Sequence, residues 1–110
     1  MVLGYIRTST ADQLADGQKS LIARYVVERK MIVDEWIEVE VSSRKSAEKR
    51  KITELLDKVS AQDTVIVSEL SRLGRSIKEV LQIIEELIQV KGCKLILIKQ
   101  NLHLDPGNQH

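Results

Sequence analysis

Residues 64–98 read TVIVSELSRLGRSIKEVLQIIEELIQVKGCKLILI, and this stretch decides the fold class. Thr64 to Val67 is a compact apolar run rich in β-branched residues, the composition of a buried strand. A polar loop, Ser68 to Arg75, follows. Ser76 with Glu79 three residues later is a capping-box pair that opens a helix, because a serine hydroxyl at that point accepts a backbone N–H the helix cannot satisfy itself. Val80, Leu81, Ile84, Leu87 and Ile88 recur at helical spacing and predict one apolar face, and Gly92 stops the helix. Lys94 to Ile98 is a second apolar run. Strand, crossover helix, strand is the parallel unit of an α/β sheet.

The same alternation extends toward the N-terminus. Val2 to Ile6 is a short apolar run that ends at Arg7, with a polar loop Arg7-Thr8-Ser9-Thr10 beyond it. From about Asp12 to Lys30, Leu14, Leu21, Ile22, Tyr25 and Val26 keep helical spacing, with Thr10 or Asp12 available as N-cap. Ile32 to Val39 reads as a strand, the charged stretch Glu40 to Lys49 as a mobile loop, and Ile52, Leu55, Leu56 and Val59 as one face of another helix. Lys99 to His110 reads as a tail holding the single proline, Pro106, beside Gly107. The order β-α-β-α-β-α-β predicts an α/β domain: a mostly parallel open sheet of four to five strands with helices on both faces.

Composition narrows the function. The 110 residues suit one domain, 43% are hydrophobic, and the net charge of +1 is too balanced for holding nucleic acid by bulk electrostatics. Aromatic residues are limited to Tyr5, Tyr25 and Trp36, which argues against base stacking on an aromatic platform. Cys93 is the only cysteine, so it forms no internal disulfide and reads as a buried structural thiol. The N-terminus lacks the pattern of a signal peptide and no apolar run is long enough to span a bilayer, so a soluble cytoplasmic protein with no membrane partner is expected.

Ligands of open α/β sheets bind beyond the carboxyl ends of the strands. The segments there carry Arg7, Thr8, Ser9 and Thr10 after the first strand, Ser42, Ser43, Arg44 and Arg50 after the second, and Ser71, Arg72 and Arg75 after the third. Arginine presents a planar fork of donors that matches a phosphate, so several aimed at one point form an anion site, and a nearby hydroxyl is a candidate attacking group. The histidines, His103 and His110, both fall in the tail, which removes a Ser-His-Asp hydrolase. There is no GxxxxGK[ST] loop, no GxGxxG turn and no ligand-spaced cluster of His, Cys or acids, so neither a cofactor nor a metal is expected. On residue types alone Ser9 reads first as a helix N-cap, Thr8 and Thr10 are alternative hydroxyls, and exposed arginines are more often solvated charges than ligands. A noncatalytic α/β binding or oligomerisation module stays open, although the acidic pair of a receiver domain is missing after the first strand.

Gly4-Tyr5-Ile6-Arg7-Thr8-Ser9-Thr10 resembles the opening Y-x-R-[VT]-S-[ST] of the resolvase and invertase family of serine recombinases, with Gln13 and Gln18 at the family's spacing. Glu69-Leu70-Ser71-Arg72-Leu73-Gly74-Arg75-Ser76 resembles the second hallmark, [DS]-R-[LF]-x-R-[SDN], and Arg50 and Ser43 are similar to the family's loop arginine and serine. The resemblance spans residues 2 to 104 and implies site-specific DNA recombination. Ser9 would attack a DNA phosphodiester to give a 5'-phosphoserine and a free 3' hydroxyl. Arg7, Arg72 and Arg75 would contact the scissile phosphate, with Arg50 completing the cradle, while Gln13 and Gln18 would order the nucleophile's segment. The ester keeps the energy of the broken bond, so neither ATP nor metal is implied. Double-stranded DNA, and dimers and tetramers of the full-length protein, are the implied partners.

Two positions depart from the family pattern. Ser71 stands where Asp is common and brings no charge, and Arg44 follows Ser43 where Gly is common; the first keeps a degenerate recombinase domain as an alternative. By the same resemblance residues 1–104 are a catalytic domain and 105–110 a tail that stops short of an oligomerisation helix and a DNA-binding domain. Weak DNA affinity is expected of the fragment alone.

Overall fold

A computed structural model describes residues 1–9, 15–41 and 45–107, and within them all side chains except those of residues 9, 15, 16, 40, 41 and 45–51. Five strands form one sheet: β1 (Val2–Ser9), β2 (Glu35–Val41), β3 (Thr64–Val67), β4 (Lys94–Leu97) and β5 (Leu102–Leu104). Among the described residues three α-helices connect the first four: α1 (Ala15–Glu28), α2 (Lys45–Lys58) and α3 (Ile77–Glu85), the last running on into a π-helical turn, Glu86–Val90. The spatial order is β2-β1-β3-β4-β5, with β1 to β4 mutually parallel and β5 antiparallel to β4.

That order fixes the layers. The chain moves from β1 to β2 in one direction and from β2 to β3 in the other, so right-handed crossovers put α1 and α2 on opposite faces; β3 to β4 continues the second direction and puts α3 beside α2. The core follows suit. Leu3, Tyr5, Val65, Val67, Leu95 and Leu97 face Leu55 of α2 and Val59 just after it, and Val80 and Ile83 of α3 with Leu87 in the turn that follows. Ile6, Ile66 and Ile96, at the alternate positions, face Ile22, Tyr25 and Val26 of α1. On the α1 face Trp36 lies so close over β1 that a Cβ on Gly4 would come within 2.6 Å of its ring, which is why that strand position has no side chain.

Several boundaries differ from the sequence reading. Arg7, Thr8 and Ser9 continue β1 instead of forming a loop, because β2 runs alongside them with Arg7 opposite Val39 and Ser9 opposite Val41. Glu40 and Val41 belong to β2, and α2 already begins at Lys45, so most of the charged stretch is regular structure; Lys, Ala, Glu and Arg are good helix formers, so a charged run is compatible with a helix. Ile32 precedes β2 and is 77% exposed. The third helix buries Ile83 where Leu81 was expected, leaving Leu81 58% exposed. Its hydroxyl cap is as read: Ser76 Oγ accepts from Glu79 N at 3.1 Å. Gly92, at φ +72°, takes the left-handed conformation that ends the segment, and Cys93 N reaches back to Leu87 O at 2.8 Å. Part of the tail is the edge strand β5. Cys93 is fully buried, its Sγ donates to Ser60 O at 3.4 Å, and burial pushes its thiol pKa up.

Candidate active site

The sheet has its topological switch point between β1 and β3, where successive connections leave in opposite directions, and the carboxyl edge there is the expected ligand position for this strand order. The two strands part at that place. Pairing of β1 with β3 ends at Tyr5 opposite Val67, while β1 continues beside β2 for four more residues. Between the extension of β1 and the segment after β3 lies an open depression of about 480 Å³ lined by Arg7, Glu69, Ser71, Arg72, Gly74 and Arg75.

Arg7 is positioned through its backbone. Gln18, buried on α1, accepts from Arg7 N at 3.2 Å and donates to Arg7 O at 3.0 Å, taking both main-chain groups as a residue of a neighbouring strand would. Ser9 is the last residue of β1, two beyond Arg7.

The second wall is the segment Ser68–Arg75. It contains a short 3-10 turn, Leu70–Arg72, held to the core by Leu73, which is fully buried between two arginines. Arg72 Nε lies 3.3 Å from Glu69 Oε1, and its Nη1 lies 3.4 Å from the Arg7 carbonyl, which ties the two walls together. Arg75 N donates to Glu79 Oε1 at 3.2 Å, so the capping glutamate of α3 also fixes the backbone of an arginine. The turn after β4 supports the segment from below: Lys99 N donates to Ser68 O at 2.9 Å and Gln100 Oε1 accepts from Leu70 N at 3.0 Å. Burial raises the Glu69 carboxyl pKa, but hydrogen bonds from Ser71 and Lys99 and the nearby charges of Lys99 and Arg72 outweigh it and hold the group below its ordinary value of 4.5.

The structure therefore brings together Arg7, Ser71, Arg72 and Arg75 from the sequence-predicted set and seats Gln18 behind Arg7. Gln13 and Ser43 lie outside the described residues, as do the side chains of Ser9 and Arg50; Arg50 itself is in the first half of α2. The sequence reading missed Glu69, Lys99 and Gln100. Glu69 lies within the second motif, but only the fold sets it against Lys99, and the other two fell in the presumed tail. Among the described residues no helix is long and apolar enough to cross a membrane.

Fold and site together define a doubly wound α/β domain with an arginine-lined depression at its switch point. The chain belongs to the resolvase family: the family model described as Resolvase, N terminal domain, matches residues 2–110. It is similar to a resolvase of Clostridium perfringens, 33% identical over 99 residues that cover 90% of this chain and 49% of the relative. It is also similar to the DNA-invertase hin of Salmonella typhimurium, 34% identical over 85 residues that cover 77% of this chain and 41% of the relative. The chain thus spans about half the length of the curated relatives it matches. The crystal structure of the N-terminal catalytic domain of TP901-1 integrase superposes with a TM-score of 0.71 at 25% identity, covering 93% of this chain and 79% of that one. A resolvase family site-specific recombinase from Streptococcus pneumoniae shares the fold, with a TM-score of 0.66 at 20% identity over 99% of this chain and 78% of that one.

Proposed function

We propose that this chain is the catalytic part of a serine recombinase that cuts and rejoins double-stranded DNA at specific sites. The observation that carries the reading is the convergence of Arg7 with Arg72 and Arg75 at the switch point, on the strand that ends in Ser9.

In the proposed reaction Ser9 Oγ attacks the scissile phosphorus. The bond to the 3' oxygen breaks, the proton lost by the serine is balanced by the one gained by the departing 3' hydroxyl, and the 5' phosphate stays on the protein as an ester. A 3' hydroxyl of the exchanged strand then attacks that ester and restores Ser9. The chain's part is to position the phosphate and stabilise the charge on its nonbridging oxygens, which is the main demand of phosphoryl transfer. Arg7, Arg72 and Arg75 supply that charge, and Arg50 joins them on the strength of the family motif. Gln18 keeps Arg7 and the end of β1 in place; Gln13 and Ser43 have supporting places in the same reading, and Ser71 offers a neutral hydroxyl beside Arg72. The alignment needs no nucleotide or metal for the energy balance, since the ester conserves the bond energy.

The relatives are about twice as long, and the reading assigns the catalytic part to residues 1–104, leaving site choice and assembly into dimers and tetramers to the remainder of such a protein. The reaction belongs in the cytoplasm, on chromosomal or mobile-element DNA. The test is a fusion of this chain to a DNA-binding module of known site, incubated with nicked target DNA in a chelator. A proteinase-sensitive adduct on the 5' end that disappears in Ser9→Ala is expected. Absence of any adduct across a range of central sequences contradicts the reading.

A further inference from the structure

Glu69 has no part in the chemistry above, yet it is the acidic side chain in the wall of the depression, among the arginines. A carboxylate in a site built for an anion works against the site's purpose, since like charges repel across a few ångströms. Its surroundings are specific. Oε1 faces Arg72 Nε at 3.3 Å, Oε2 faces Lys99 Nζ at 3.4 Å, and the Ser71 hydroxyl donates to the same group. Its side chain is 23% exposed and that of Arg72 18%, whereas Lys99 is 58% exposed. The acid and the arginine are thus withdrawn from solvent and the lysine closes the outer side.

Lys99 and Glu69 carry opposite unit charges and nearly cancel at the distance of a ligand in the depression. What remains is geometry. An arginine side chain has many rotamers, and ordering it costs free energy when a ligand must do so. Here the Glu69 carboxylate lies 3.3 Å from the buried Arg72 Nε as an ion-pair partner without hydrogen-bond alignment, and Nη1 donates to the Arg7 carbonyl at 3.4 Å, so one charge contact and one hydrogen bond restrict the guanidinium before any phosphate is present.

We propose that Glu69, with its charge compensated by Lys99, is a positioning residue that presets the Arg72 guanidinium for the phosphate. The proposal rests on the reading of the depression as a phosphate site and adds a carboxylate-lysine clamp to it. The clamp also links the turn after β4 to the site, because Lys99 and Gln100 both bind the segment that carries Arg72.

The test uses the 110-residue chain labelled with nitrogen-15, inorganic phosphate as the probe, three proteins of equal net charge (wild type, Glu69→Asp, and the double variant Glu69→Gln/Lys99→Gln) and a fourth, Lys99→Gln, with one positive charge fewer. Equal charge removes the Coulomb effect on phosphate affinity. In wild type, phosphate shifts the side-chain signals of Arg7, Arg72 and Arg75, and the Arg72 Nε–Hε signal stands apart from that of the exposed Arg24. In the double variant the Arg72 signal moves toward the Arg24 position and phosphate binds about threefold to tenfold more weakly, the usual cost of ordering one long side chain. Glu69→Asp, which keeps the carboxylate, binds more tightly than the double variant. Lys99→Gln alone, which leaves the carboxylate uncompensated, weakens phosphate binding while the Arg72 signal stays in place. The proposal is overturned if the double variant, with its methyl spectrum intact, binds phosphate as tightly as wild type or leaves the Arg72 signal unmoved. Failure of wild type itself to respond to phosphate overturns the phosphate-site reading, and the clamp's purpose with it; that result is seen without any variant.

Discussion

Arg7 and Arg72 meet at one depression, but the first is held by regular structure and the second by an irregular segment. Arg7 belongs to a strand with β2 on one flank, and a buried amide, Gln18, grips its backbone. Arg72 belongs to a tight turn whose position depends on the buried Leu73, on the partly buried Leu70, and on polar contacts from α3 and the turn after β4. The difference matters because the distance between the two walls sets the shape of the site. One wall is as rigid as the sheet, and the other is only as well placed as its supports. Contacts such as Arg72 Nη1 to Arg7 O, at 3.4 Å, register the second wall against the first.

The largest expected effect comes from the irregular wall. Leu73→Ala removes a fully buried side chain and should cost about 2–5 kcal/mol in urea-induced unfolding, with strand cleavage falling further than stability alone explains. A loss well under about 1 kcal/mol would mean that the segment does not depend on its leucine, and the contrast would fail. On the strand side, Gln18→Leu keeps the volume and removes both bonds to the Arg7 backbone; about 1–3 kcal/mol is expected, with faster hydrogen exchange at the Arg7 amide than at Leu3. Equal exchange in variant and wild type would show that β2 alone holds this part of β1.

The two walls also differ in their response to acid. Gln18 does not titrate, whereas Glu69 is a carboxylate whose folded pKa lies below its ordinary 4.5. A depressed carboxylate contributes stability that is fully present above the unfolded pKa and is lost as pH falls through the folded one. Lowering the pH below about 4.5 should therefore loosen the segment Ser68–Arg75 before the end of β1, and hydrogen exchange at Leu73 and Arg75 should rise while that at Arg7 does not. In Glu69→Gln this acid-dependent step should vanish. Parallel loosening of both walls would break the comparison.

The same contrast explains what the sequence made legible. The unit from Thr64 to Leu97 was readable because its signals are local: β-branched runs, the Ser76 cap on Glu79 N, and a glycine at φ +72°. Arg7 to Ser9 looked like a loop because their strand character comes from pairing with distant Glu38 to Val41. The first turns of α2 looked like a loop because a run of charged helix formers and a charged loop share a composition. In α3, apolar residues lie on more than one side, and spacing alone did not say that Ile83 would be buried and Leu81 exposed. Of the site, the arginines and Gln18 were readable from motifs, while the bridge from Glu69 to Lys99 exists only once β3 and β4 lie side by side.

The central claim is that Ser9 is the group joined to DNA. Its most direct test is to digest the trapped adduct with trypsin and sequence the modified peptide Thr8 to Lys19, TSTADQLADGQK, by tandem mass spectrometry. The account predicts the nucleotide phosphate on Ser9. A phosphate on Thr8 or Thr10, or on no residue of this peptide, would contradict it.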